Sequence, residues 1–153
     1  MTKIRNIKNI GIIGGGQLGM FLCKSAKKIN KRIYVFSDQE NCSAKKFCND
    51  FFFGDFNDLE SIKKFSERVD IITVETENIP KETLKTIDNL GKLTPSFRSI
   101  VIAQNRLKEK NFLNSLNGIK TTDYMAINNF KDLEKAYILF NKSIIIKSCE
   151  FGY

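Results

Sequence analysis

Gly14-Gly15-Gly16-Gln17-Leu18-Gly19 stands between a run of β-branched residues and a segment of helical periodicity. Glycine at 14, 16 and 19 suits a backbone that turns sharply out of a strand, approaches a ligand or another element closely, and enters a helix. Asn9-Ile10-Gly11-Ile12-Ile13, just before it, is short, apolar and bounded by glycine, the pattern of a parallel strand buried on both faces. After it, Leu18, Phe21, Leu22, Ala26 and Ile29 recur at spacings of three and four. They predict an amphipathic helix ending near Asn30, with that set on its inner face.

The same alternation continues. Arg32-Ile33-Tyr34-Val35-Phe36 reads as a second strand closing at Ser37-Asp38, and Phe51-Phe52-Phe53 as a third, after a short helix around Ser43–Cys48. Asn57 or Asp58 can cap a helix to about Arg68, with Leu59, Ile62 and Phe65 inward. Asp70-Ile71-Ile72-Thr73-Val74-Glu75 is a fourth strand. Strands alternating with helices imply an α/β fold, a Rossmann-like parallel sheet covered on both faces.

Beyond Pro95 the texture changes. Ser99 to Leu116 reads as helix with a polar interruption at Gln104-Asn105, stopped by Gly118. Tyr124-Met125-Ala126-Ile127 alternates weakly as a strand, Asn129 caps a helix over Phe130 to Phe140, and Ser143-Ile144-Ile145-Ile146-Lys147 is another strand. The expected division is residues 1–97 and residues 98–153. The second part holds too few elements to bury a core of its own.

Composition narrows the chemistry. The 153 residues include no His, which excludes Ser-His-Asp and Cys-His catalysis and every imidazole metal site. Cys23, Cys42, Cys48 and Cys149 form no C-x-x-C pair and read as reduced, mostly buried thiols. No metal site is expected. No apolar run approaches the roughly 20 residues that span a bilayer, and no signal-peptide cleavage pattern follows the basic start, so a soluble cytoplasmic chain is expected. The formal charge is +8. Residues 1–50 hold ten basic and three acidic side chains, many of them (Lys24, Lys27, Lys28, Lys31, Arg32) near one helix end, where cations also favour the helix dipole. No stacking-aromatic or helix-turn-helix pattern accompanies that charge, so nucleic-acid binding is only a third reading.

The glycine loop by itself leaves alternatives open. With Asp38, 19 residues past Gly19 at a strand end, Gly14, Gly16 and Gly19 fit an NAD(P)-type dinucleotide site. A phosphate-bearing substrate can use the same turn, and glycines can also serve strand–helix packing alone. Glu75 and Glu77, at i and i+2, point to one side if the fourth strand persists that far. Carboxylates there suit a hydroxyl or amine substrate better than a second phosphate.

Four segments, in this order, resemble one family, the ATP-grasp carboxyaminoimidazole ribonucleotide synthetases. They are Gly14-Gly15-Gly16-Gln17-Leu18-Gly19; Glu75-Thr76-Glu77-Asn78-Ile79-Pro80; Gln104-Asn105-Arg106-Leu107-Lys108-Glu109-Lys110; and Ile146-Lys147 with Gly152-Tyr153. The resemblance covers about Asn9 to Tyr153, well under half of the family's length. It implies a pre-ATP-grasp Rossmann-like substrate-side domain over residues 1–97 and the incomplete start of an ATP-grasp domain over 98–153. It implies an ATP-dependent carbon–nitrogen ligase of purine biosynthesis: ATP and bicarbonate give carboxyphosphate, which carboxylates aminoimidazole ribonucleotide. Gly16, Gln17, Leu18 and Glu75 match substrate-binding positions, and Arg106, Lys147, Gly152 and Tyr153 match ATP-binding ones. ATP would act with Mg, whose ligands, like the catalytic residues, fall outside these 153 residues. The chain alone is therefore expected to be inactive, and a homodimer is admitted for the full-length form. Thr76 stands where the family has an aromatic residue, and Met20 where an Arg is frequent.

Overall fold

The computed structural model describes residues 7–151. It divides into two compact units, Met1–Val101 and Ile102–Tyr153. The first contains strands β1 (Asn9–Ile13), β2 (Arg32–Ser37), β3 (Asp50–Phe53) and β4 (Ile71–Val74), in the order β3-β2-β1-β4. All pair in parallel, with Ile12 opposite Val35 on one side and Thr73 on the other. Helices α1 (Gln17–Lys28), α2 (Leu59–Glu67) and α3 (Lys81–Asn89) follow β1, β3 and β4.

Alternation along the two central strands builds two cores. Ile12, Ile33 and Val35 pack with Cys23 and Ala26 of α1 and with Ala44. Ile13, Tyr34, Phe36 and Ile72 face the other way, onto Ile62 and Phe65 of α2 and Leu84 and Ile87 of α3. This is the period-two pattern of a sheet covered on both faces. Phe65 lies at the centre of an aromatic group, edge-on to Phe36 at 5.6 Å and to Phe52 at 5.3 Å between ring centroids. Gly11 makes room for it: a Cβ there would meet the Phe65 ring at 3.0 Å. α4 (Phe97–Ala103) adds buried Ile100 to this core.

Several expectations change. The inner face of α1 is Gly19, Cys23 and Ala26; of the expected set only Ala26 is buried, while Leu18, Phe21, Leu22 and Ile29 are exposed. A small-residue face lets the helix lie close to the sheet, with a Cβ at Gly19 only 2.9 Å from the Gly14 carbonyl oxygen. The helix ends at Lys28 because Asn30 turns left-handed (φ 55°). Lys31 N–H then donates to Ala26 O and Asn30 N–H to Lys27 O, satisfying two final carbonyls. Asp58, rather than Asn57, caps α2, accepting from Glu60 and Ser61 N–H. The segment around Ser43–Cys48 is turn, not helix, and Ala44 N–H donates across to Gly15 O. α3 falls where no element was expected. Its nine residues are mostly polar and bury only Thr83, Leu84 and Ile87, and Thr83 Oγ1 donates to Phe56 O at 2.5 Å.

In the second unit, α5 (Arg106–Asn114) and α6 (Phe130–Leu139) are capped by Asn105 and Asn129. Side-chain bonds brace α5 against the following loop: Lys110 Nζ donates to Thr122 Oγ1 and Tyr124 Oη to Asn111 Oδ1. Neither Tyr124–Ile127 nor Ser143–Lys147 is a strand. Neither finds a neighbouring ladder among the described residues, and a strand without a partner leaves its N–H and C=O groups to water. Among those residues Ala136 is the buried apolar side chain of this unit, while Ile145, Ile146 and Phe151 are exposed.

Asp70 ties the start of β1 to the start of β4, its Oδ2 accepting from Asn9 N–H and Lys8 N–H, both at 2.8 Å. Those bonds hold its carboxyl below the usual carboxylate range. A depressed folded pKa means its contribution is present above the unfolded value of about 4 and is lost as pH falls through the folded one. Asp70→Asn is expected to be less stable than the parent at pH 7, the gap closing below about pH 4. Denaturant melts at pH 7 and pH 3 measure it, and an equal gap at both refutes the assignment.

Candidate functional site

The carboxyl ends of β1 and β4 converge on the glycine loop. Gly14 leaves β1 with φ 105°, a conformation open to glycine, and its N–H donates to Phe36 O. Gly16 is the N-cap of α1 and has no side chain to satisfy the helix's first N–H groups. Glu75 accepts from one of these donors, the N–H of Gly16 itself, from another element. It follows β4, its own N–H donates to Ile13 O, and its Oε2 accepts from Gly16 N–H at 3.2 Å. The fit is close: a Cβ at Gly14 would lie 2.5 Å from Glu75 Oε2, and one at Gly16 would lie 2.6 Å from Oε1.

The loop's other flank is Ser37 and Cys42, whose Oγ and Sγ would both collide with a side chain at Gly15. Ser37 is buried and Cys42 half-buried. Sequence reasoning assigned these two residues no place beside the loop. The signal was thin, a small polar residue closing β2 and a cysteine in the turn beyond it. Cys23 is on the buried face of α1, and burial pushes its thiol up to about 11; burial also raises Cys48. These two are protonated packing residues at neutral pH. All four cysteines are free thiols, Cys149 exposed.

Of the expected substrate-side residues, the structure brings Gly16, Gln17, Leu18 and Glu75 to one place. Gln17 and Leu18 are exposed on the first turn of α1, while Gly16 and Glu75 are half-buried. β4 ends at Val74 and the chain bends at once, so Glu75 and Glu77 do not lie on a continued strand. Asp38 is exposed past the end of β2. A carboxylate on the Gly16 N–H occupies the position where a dinucleotide would place its pyrophosphate, so the loop argues against that reading.

In the second unit, Arg106 opens α5 half-buried and its N–H donates to Cys149 O at 2.9 Å. Asn105 Nδ2 donates to Glu150 Oε1 at 3.0 Å. These bonds seat the 147–150 segment against the start of α5. Lys147 is exposed and, without a strand, is not at a strand end. Gly152 and Tyr153 lie outside the described residues. Among the described residues, no group of three or more Cys, Asp or Glu could hold a metal ion, and no helix is long and apolar enough to cross a membrane.

Residues 7–104 match the family described as the ribonucleotide synthetase preATP-grasp domain. The chain belongs to that family. In this preATP-grasp chain β1, the glycine loop and α1 precede a short β4, which Glu75 follows. The chain is also 30% identical over 152 residues to the N5-carboxyaminoimidazole ribonucleotide synthase of Staphylococcus aureus strain MRSA252, covering 99% of this chain and 40% of that protein. Among solved structures, the N5-carboxyaminoimidazole synthetase of S. aureus complexed with ADP aligns with a TM-score of 0.74 at 30% identity, over 86% of this chain and 36% of its own. The Aspergillus clavatus N5-carboxyaminoimidazole synthase in complex with ADP and 5-aminoimidazole ribonucleotide aligns with a TM-score of 0.73 at 27% identity, over 88% and 36%. The preATP-grasp chain thus spans about 40% of the length of the curated relatives it matches.

Proposed function

We propose that this chain is the amino-terminal portion of an ATP-dependent ligase that carboxylates aminoimidazole ribonucleotide with bicarbonate, through carboxyphosphate, in purine biosynthesis. The observation that carries the reading is the Gly16–Glu75 contact. It builds a loop suited to a hydrogen-bond-donating ligand inside a domain of the ribonucleotide synthetase family. Gly16, Gln17, Leu18 and Glu75 face the ribonucleotide. A carboxylate accepts from amine and hydroxyl groups, and the exposed first turn of α1 offers Gln17 and Leu18 beside it.

Residues 98–153 begin the ATP-grasp portion, where Arg106, Lys147, Gly152 and Tyr153 contact ATP. Arg106 supplies a planar fork and Lys147 a point charge for phosphate oxygens. Both residue types fit a polyphosphate, and the bonds from Asn105 and Arg106 to Glu150 and Cys149 hold their two segments side by side. Magnesium would neutralise phosphate charge through ligands beyond these residues. The working location is the cytoplasm, and the full-length form would be a homodimer.

The test is calorimetric titration of the 153-residue chain with aminoimidazole ribonucleotide. Binding is expected in the parent, weakened by about tenfold or more in Glu75→Ala through loss of a charge-assisted hydrogen bond. No bicarbonate- and ribonucleotide-dependent ATP hydrolysis is expected from this chain alone. Equal affinity in both proteins would remove the substrate assignment, and robust turnover would remove the fragment reading.

A further inference from the structure

The turn that follows β2 runs alongside α1. Ala44 N–H donates to Gly15 O, just before α1 begins, and Asn49 N–H donates to Ile33 O, near the start of β2, where α1 has ended. Residues 44–48 therefore descend in the same direction as the helix. Between those ends Cys48 N–H donates to Ala44 O at 3.2 Å, closing one helical turn. A Cβ at Gly19 would lie 3.5 Å from the Ala44 Cβ, a separation at which two Cβ atoms can carry a disulfide. Four positions further along both segments, one turn on in each, stand Cys23 and Cys48. Both belong to the core on this face of the sheet, Cys23 fully buried and Cys48 half-buried at its rim. Their electrostatics agree. Burial raises both thiols, the charge of a Cys48 thiolate raises Cys23 next most strongly, and Lys27 lowers both.

We propose that Cys23 and Cys48 are a dithiol modification site, closed to a disulfide by exchange with a small disulfide, which ties the turn after β2 to α1. Cys48 is the entry sulfur, because Cys23 is sealed from solvent. As thiolate, Cys48 attacks one sulfur of the small disulfide, giving a mixed disulfide and one small thiolate. Cys23 then loses its proton, attacks the Cys48 sulfur and expels the second small thiolate. One protein S–S bond forms and the small S–S bond breaks. The two protein thiols give up two protons and two electrons, and the small disulfide is reduced to two thiols. The closed bond joins distant positions and restricts the unfolded chain. It also fixes the turn whose Ala44 N–H holds Gly15 O and whose neighbour Cys42 lies against Gly15, so oxidation stiffens one flank of the glycine loop. Cys42 and Cys149 lack this register: Cys42 precedes the turn and faces the loop, and Cys149 belongs to the second unit. The pair is independent of the ligase reading, since no substrate enters it.

The test treats the folded full chain with glutathione disulfide, quenches it with acid and an alkylating agent, and reads the intact mass and the unreduced peptides. Loss of two hydrogen atoms with no retained glutathione is expected, with Cys23 and Cys48 in one linked peptide. The melting temperature should rise by several degrees and return when dithiothreitol reopens the bond. In a variant carrying Cys42→Ser and Cys149→Ser the same link should form at the parent's rate. In Cys48→Ser, Cys23 should remain a free thiol. A glutathione adduct that persists on Cys48, a link through Cys42, or Cys23 and Cys48 both still free in the treated parent overturns the proposal, as does a bond that forms only after denaturation. The parent's own peptide map decides if a variant does not fold.

Discussion

Phe65→Ala is expected to remove a large fraction of the first unit's stability. Phe65 is fully buried, packs edge-on against Phe36 and Phe52, and fills the space that Gly11 leaves over the sheet. Truncating a buried phenylalanine to alanine costs about 3–5 kcal/mol, because the lost transfer energy is joined by a cavity. Little can collapse into this one. One wall is the backbone of β1 at Gly11, and the others are rings held by β2 and β3. Against a total of roughly 5–15 kcal/mol for a domain, that loss is a large fraction. For a unit of about 100 residues it corresponds to a fall in melting temperature of about 12 °C or more. Phe53→Ala provides the contrast: Phe53 is 61% exposed and should change stability by no more than about 0.5 kcal/mol. The pair is informative because Phe51, Phe52 and Phe53 are indistinguishable by composition, yet Phe52 faces Phe65 while Phe53 faces water. A melt in which both variants fall equally would mean that β3 is not registered as described.

The strands of the first unit were legible because each is a short β-branched or aromatic run bounded by turn residues, and their burial is local information. The face of α1 was not. Hydrophobic periodicity pointed to Leu18, Phe21, Leu22, Ala26 and Ile29; Ala26 is buried as expected, but the rest of the buried face is Gly19 and Cys23, one position past Leu18 and Leu22. What decides that face is how near the helix must come to a loop it shares with Glu75, a tertiary distance absent from any window of sequence. α3 escaped for the opposite reason. Its two large apolar side chains, Leu84 and Ile87, are too few to raise a signal, and the helix gains stability from tertiary burial. Of the loop constellation, the glycines and Glu75 stood out as residues, but their contact across 59 positions did not. Ser37 and Cys42 carried no pattern at all. In the second unit α6 was legible from its Asn129 cap, whereas the pattern reads α5 as part of one helix from Ser99 to Leu116 and the interruption at Asn105 is in fact its N-cap. Ile144-Ile145-Ile146 has strand composition and no neighbour to pair with among the described residues.

Two substitutions in the glycine loop should separate fold from site. At Gly16 the backbone (φ −72°) suits any residue, and the atoms a new Cβ would meet are the carboxyl end of Glu75. That end is flexible, so Gly16→Ala should evict the carboxylate at a stability cost of less than about 1 kcal/mol. Because the evicted group is the one proposed to read the ligand, affinity for aminoimidazole ribonucleotide should fall by about tenfold or more. At Gly14 the same change meets two obstacles. The φ of 105° strains an alanine, and its Cβ would lie 2.9 Å from the Glu75 Cβ, a part of the side chain that cannot swing aside. Strain of this kind costs about 1–3 kcal/mol before any displacement of β4 is counted. Gly14→Ala should therefore lose both stability and binding, whereas Gly16→Ala loses binding alone. Thermal melts and calorimetric titrations of the two variants measure the distinction. If Gly16→Ala kept full affinity, Glu75 would be a helix cap for α1 and nothing more, because a ligand-reading carboxylate cannot be displaced without consequence. If both variants melted alike, the tight approach of β4 to the loop would be wrong, and with it the geometric basis for the site.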